Sequence, residues 1–170
     1  MEKPIPIPAF RPDLLDTLEF VKQQARELAE TDELEPVLLW ETDSGRNIAL
    51  IRGVTGTEVV LKALQSVLIQ FNPLYFVLVH EAWAATPKAI DQYRKQIDPE
   101  MTAATIPLDD RSEQVVIMFG ERKQFTYITV AKIMRQGEKR IIGEYEPVGI
   151  LAGRHKDTHD LVREIITWPE

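Results

Sequence analysis

The segment 74–83, LYFVLVHEAW, constrains the fold more than any other: an apolar run that ends in two ionisable residues and an indole. Asn72-Pro73 precedes it and Thr86-Pro87 follows it, so it is too short for a typical helix and reads as a buried strand. Alternation puts Phe76, Leu78, His80 and Ala82 on one face and Tyr75, Val77, Val79, Glu81 and Trp83 on the other. Both faces stay apolar until the last few residues. Such a strand belongs in the middle of a sheet with a layer packed on each side, and its polar end is the natural place to look for a site.

The flanking segments suggest those layers. Pro12 suits the first turn of a helix, with Asp13 and Asp16 near its positive end. Leu14, Leu18, Val21, Ala25 and Leu28 recur at spacings of three and four, with Leu15 beside them and Lys22, Gln23, Arg26 and Glu27 outward, which predicts an amphipathic helix. A β-hairpin is expected from 37–42 and 47–52, joined through Asp43-Ser44-Gly45-Arg46, with Trp40 pointing into a core or partner surface. After the break at Gly53 to Gly56, Thr57 is a plausible N-cap. Val60, Leu61, Leu64, Val67, Leu68 and Phe71 give the following helix a broad apolar face, and Pro73 stops it.

Residues 84–110 have no steady period and read as a long loop, with room for a short helix at 88–96. Loops of this length are often functional or mobile. Strands are then expected at 114–119, 125–135 and 140–145, with a turn at Gly120-Glu121-Arg122-Lys123 and a hairpin across Gln136-Gly137-Glu138. Pro147 and Gly149 read as the end of the sheet. A last helix is expected from about Asp157 to Trp168, with Leu161, Val162, Ile165 and Ile166 on its apolar side. The first residues alternate proline with apolar side chains and suit an extended arm, whose Ile5, Ile7 and Phe10 would dock on the body or a neighbour. This order predicts an α+β fold over 1–170 as one domain, with an arm at 1–11. The sheet would be mostly antiparallel with about six strands and about three helices packed on it.

Net charge is −7, from 27 acidic and 20 basic residues, which argues against general nucleic-acid binding. With no cysteine in the chain, disulfides, thiolate nucleophiles and cysteine-held zinc or iron–sulfur centres are excluded. No apolar run reaches the roughly 20 residues needed to span a bilayer. The N-terminal stretch lacks the apolar core of a signal peptide, so no membrane partner and a cytoplasmic location are expected. Without GxGxxG, P-loop or GxSxG patterns, no cofactor is expected either.

His80-Glu81 is the leading catalytic candidate, an imidazole and a carboxylate at the mouth of a buried strand. Neighbouring strand residues point to opposite faces, so each needs partners from elsewhere, such as Asp43, Asp109, Glu113 or Arg122. The structural alternative is a hydrogen-bonded core histidine and a glutamate paired with an arginine. His155 and His159, four apart with Asp157 and Asp160 nearby, are weak metal candidates. Gly153 and Thr158 suggest instead that this segment straddles a helix start, with Asp157 as N-cap. Glu121-x-Lys123, with Asp109 and Asp110 upstream, has the acidic-x-lysine form of metal-dependent nucleases, although a charged turn accounts for it as well.

Three elements of the middle region recur together elsewhere: Glu81-Ala82-Trp83 closing an apolar strand, the proline-containing stretch 87–107, and the entry Asp109-Asp110-Arg111-Ser112-Glu113-Gln114-Val115-Val116. In these the chain resembles a set of prokaryotic and phage proteins of unknown function, over about residues 74–120. The resemblance implies interest in Glu81, Trp83, Arg111 and Glu113, and no reaction. If 114–119 pairs antiparallel with the central strand, Glu81 and Trp83 come near Arg111 and Glu113. A carboxylate–arginine pair there fastens the loop or floors a ligand site, with Trp83, Arg111, Glu113 and Asp109 as binding candidates.

The expected function is therefore a soluble, non-catalytic domain that binds another protein or forms a homo-oligomer. The alternatives are a metal-assisted or acid–base hydrolase using His80 and Glu81, and a small-ligand pocket under the 84–110 loop.

Overall fold

The computed structural model describes residues 10–51, 57–84, 87–101, 112–122 and 126–150. Over these residues the chain runs α1 (Pro12–Thr31), β1 (Val37–Thr42), β2 (Gly45–Leu50), α2 (Thr57–Phe71), β3 (Tyr75–Ala84), α3 (Pro87–Gln96), β4 (Ser112–Glu121), β5 (Thr126–Gln136), β6 (Lys139–Ile142) and β7 (Glu146–Ile150). The strands form one sheet in the order β2-β1-β3-β4-β5-β6, and β7 lies beside the other half of β5. Every pairing is antiparallel. The α+β class and the antiparallel sheet are as the sequence predicts.

β3 is central, between β1 and β4, because both of its faces are apolar. Tyr75, Val77 and Val79 pack with Leu14, Leu18 and Ala25 of α1. Phe76 and Leu78 pack on the opposite side with Leu61, Leu64 and Leu68 of α2. The helices thus cover opposite faces, and the alternation read from 74–83 assigns each side chain to its core. Trp40 is buried against the α2 side and stacks near Phe71, ring centroids 5.4 Å apart.

The helix ends follow their local chemistry. At the N-terminus of α1 the Arg11 N–H donates to the buried Glu121 carboxylate of β4, and Leu14 N–H donates to Asp13 Oδ1 at 3.1 Å. Two carboxylates therefore satisfy the positive end of the helix. α2 closes with Asn72 in the left-handed region, φ 40°, its N–H bonded to Leu68 O at 3.0 Å. Asparagine tolerates that conformation, and Pro73 then prevents another turn. In the β5–β6 hairpin, Gly137 takes φ 63° at the first of two turn positions, where a side chain is disfavoured.

The sheet curls around α1. β3 and β6 are three places apart, about 14 Å in a flat sheet, yet Arg140 of β6 reaches Glu81 of β3 at 2.6 Å. Arg26 of α1 donates to Ile142 O at 2.8 Å, and Tyr145 O–H donates to Lys22 O at 3.0 Å. The helix is held inside the concave face.

Several expectations change. Pro147 and Gly149 do not end the sheet but lie within β7, an outer strand beside a register shift, where proline is tolerated. Gly120 and Glu121 are the last residues of β4, not a turn. β3 extends to Ala84, into the first residue of the stretch read as loop, whereas the short helix allowed at 88–96 is present as α3. Leu28, placed in the apolar stripe of α1, sits on its exposed flank. Of the arm only Phe10 and Arg11 are described, and Phe10 docks edge-on against Phe119 and Tyr127. The helix expected at 157–168 lies outside the described residues.

Candidate functional site

The end of β3 gathers charge on the α1 face. Glu81 Oε1 accepts the Leu34 N–H at 3.0 Å and the Arg140 Nη2–H at 2.6 Å. Both side chains are largely hidden, 12% and 7% exposed. Burial pushes the Glu81 carboxyl above the usual carboxylate range, and the Leu34 N–H and the Arg140 guanidinium pull it part of the way back. Arg140 Nε and Nη1 have no hydrogen-bond partner among the described residues.

Next to this pair, Trp83 stands opposite Glu113 in the β3–β4 register, as the antiparallel pairing predicts. Glu113 takes a forked contact from Arg135 of β5, Nη2 at 2.9 Å from Oε1 and 3.0 Å from Oε2. Both interactions bring arginines from β5 and β6, which sequence reasoning did not select. The signal for Arg140 was its alternation with Ile142, which puts a charged side chain on the inward face of a hairpin strand. Arg111 and Asp109, expected beside Glu81 and Trp83, lie outside the described residues, as do His155, His159 and Lys123.

His80 points to the α2 side, away from Glu81. It is 3% exposed, and its ring Nδ1 lies 3.2 Å from the Glu81 carbonyl. With Nδ1 donating there, Nε2 is an acceptor without a donor among the described residues. Burial holds this imidazole below its ordinary range, with the carbonyl contact opposing. The two residues of the leading catalytic pair therefore face different layers, and each is engaged by its own surroundings. Among the described residues no three His, Asp or Glu side chains converge to hold a metal ion.

A second polar cluster occupies the other end of β3. Buried Tyr75 donates to the Glu41 carboxylate, while Arg46 Nη2 lies 2.7 Å from Thr17 Oγ1 and 3.3 Å from Tyr75 Oη. Burial and the Glu41 contact raise the Tyr75 phenol above its ordinary range, so it stays protonated and ties β1, β2 and α1 together. Arg46 links α1 to the hairpin here, and Glu121, the acidic residue of the nuclease-like pattern, is committed to the α1 N-terminus nearby.

What remains open is an edge. β2 ends the sheet, and among the described residues no strand pairs with its outer side. Ile48 is 64% exposed and Leu50 52% exposed, both on the α1 face, while the paired β1 residues face the core. Thr17 of α1 meets this hairpin through Arg46. Phe20 and Leu28 are more than half exposed. Lys22 and Arg26, on the other flank, meet Tyr145 instead. A further shallow hollow runs along α3 between Lys88, Asp91, Gln92, Lys95 and Gln96; among the described residues its walls come from that helix.

No helix among the described residues is long and apolar enough to cross a membrane. No protein-family model, curated protein or solved structure matches the chain.

Proposed function

We propose that this chain is a non-catalytic cytoplasmic domain that acts by binding a protein strand, from another protein or from its own copy, at the β2 edge. The supporting observation is the exposure of Ile48 and Leu50 on one face of an outer strand. Contiguous apolar side chains at a sheet edge are what a strand-adding partner uses, with main-chain bonds for affinity and side-chain contacts for selectivity. The polar end of β3 supports the same reading from the other direction. Glu81 is occupied by Arg140 and Leu34, and His80 is packed on the opposite face, an arrangement suited to fastening the curled sheet.

The test is retention on immobilised protein, wild type against an Ile48→Lys/Leu50→Lys variant, with folding followed by circular dichroism. The expected result is that the wild type retains a partner, its own chain included, that the folded variant loses. Equal retention by both proteins assigns the function to another surface.

A further inference from the structure

The β2 edge has a geometry that suits one occupant in particular. Ile51 N–H bonds to Pro36 O at 2.9 Å, in line with the β1–β2 register. In an antiparallel ladder hydrogen-bonded and non-hydrogen-bonded pairs alternate, so Ala49, Asn47 and Gly45 also turn their backbone groups toward β1. Arg46, Ile48 and Leu50 turn theirs outward. Their side chains share the α1 face with Leu39 and Val37.

We propose that the occupant is a second copy of this chain, added antiparallel across a two-fold axis at Ile48; this rests on the reading of β2 as the binding edge. With that axis Ile48 meets Ile48 of the second copy, and Arg46 meets Leu50 in both directions. Every outward N–H then finds a carbonyl and every outward carbonyl an N–H, so the strand is self-complementary as a two-fold interface requires. The apolar side chains fall together on one face, and the head of Arg46 is drawn inward to Thr17 and Tyr75, away from the second copy.

Charge supports the same occupant. The chain carries −7 overall, so copies repel across most orientations. Gly45–Leu50 contains one arginine and no acidic residue, so this edge is a place where two copies approach without opposing carboxylates.

The opposite edge shows the usual protection against such pairing. It is divided between β6 and β7, has a register shift between Ile128 and Thr129, and includes Pro147 and Lys139. These are devices that keep edges from adding strands. β2 has a continuous register and none of them.

Light scattering over a concentration series and oxidative cross-linking, with four variants between them, test the proposal. The wild type is expected to pass from monomer to dimer as concentration rises. Ile48→Lys sets two lysines against each other and weakens association by about tenfold or more, while Ile48→Val retains it. Because the chain has no cysteine, Ile48→Cys yields an unambiguous cross-link. Paired residues at such an axis stand about 5.5 Å apart, within disulfide range, so mild oxidation should join Ile48→Cys dimers much faster than Ile97→Cys controls.

A wild type that stays monomeric up to about 1 mM overturns the second copy as occupant. If Ile48→Lys still abolishes retention of a different protein, the binding reading itself survives that result. A dimer indifferent to Ile48→Lys, or equal cross-linking of both cysteine variants, rejects the edge altogether.

Discussion

At the scale of residues, Glu81 and Arg140 show how a charged strand end becomes structure. Two largely buried ions gain their attraction at the expense of hydration, and removing one leaves the other without its counter-charge. Glu81→Gln keeps an acceptor for Leu34 N–H but abandons Arg140, and is expected to cost about 3 kcal/mol. Arg140→Met should cost a similar amount. The double variant should cost clearly less than the sum, a coupling that urea unfolding in a double-mutant cycle measures; additive losses would mean the pair does not act as one unit. That Glu81 would pair with an arginine was legible in the sequence as one of two alternatives. Its partner was not, because Arg140 arrives only through the curl of the sheet.

His80 has a pH signature of its own. Its folded-state pKa is lowered by burial, while in the unfolded chain it titrates near about 6.5. The unfolded state therefore takes up the proton first as pH falls. Stability from this group is fully present above about pH 7 and declines below about 6.5, with a slope of up to about 1.4 kcal/mol per pH unit. Glu81, raised by burial, acts in the opposite sense at lower pH. The difference between wild type and His80→Leu isolates the histidine: urea midpoints from pH 7.5 to 5.5 should fall for the wild type and stay flatter for the variant. Parallel slopes would contradict this reading.

At the scale of elements, most of the fold was readable because periodicity changes cleanly along the chain. α1, α2, the β1–β2 hairpin and β3 follow from spacings of three and four or of two, and Asn72-Pro73 and Gly137 mark stops that the backbone needs. Pro147 misled because proline excludes a central strand but not an outer one, and sequence alone does not say which strands are outer. Glu121 misled because its charge suggested a turn, whereas it accepts the Arg11 N–H at the start of α1. Glu121→Ala is accordingly expected to destabilise the protein by about 1 kcal/mol through loss of that contact. Leu64→Ala, on the buried face of α2, should cost about 3 kcal/mol through the cavity it leaves. Thermal or urea unfolding checks both, and a reversed ranking would mean that the cap, not the α2 core, carries more of the stability.

At the scale of the whole molecule, the antiparallel sheet is closed by curl around α1 on one side and covered by α2 on the other, and its two edges are treated differently. The β6–β7 edge is split between two strands with a register shift, and the β2 edge has a continuous register, exposed Ile48 and Leu50 on one face and no acidic residue. Nothing in a local window of sequence distinguishes them, because being an edge is a property of strand order. The polar end of β3, conspicuous in the sequence, is engaged within the fold, and the inconspicuous run Gly45–Leu50 carries the proposed interaction.

Amide hydrogen exchange across β2, followed as protein concentration is raised, tests that central claim most directly. The N–H groups of Asn47 and Ala49, bonded to β1, should be protected throughout, while those of Arg46, Ile48 and Leu50 should exchange quickly when dilute and become protected as copies pair. Fast exchange at these three positions at every concentration, or protection already complete in the dilute monomer, would contradict it.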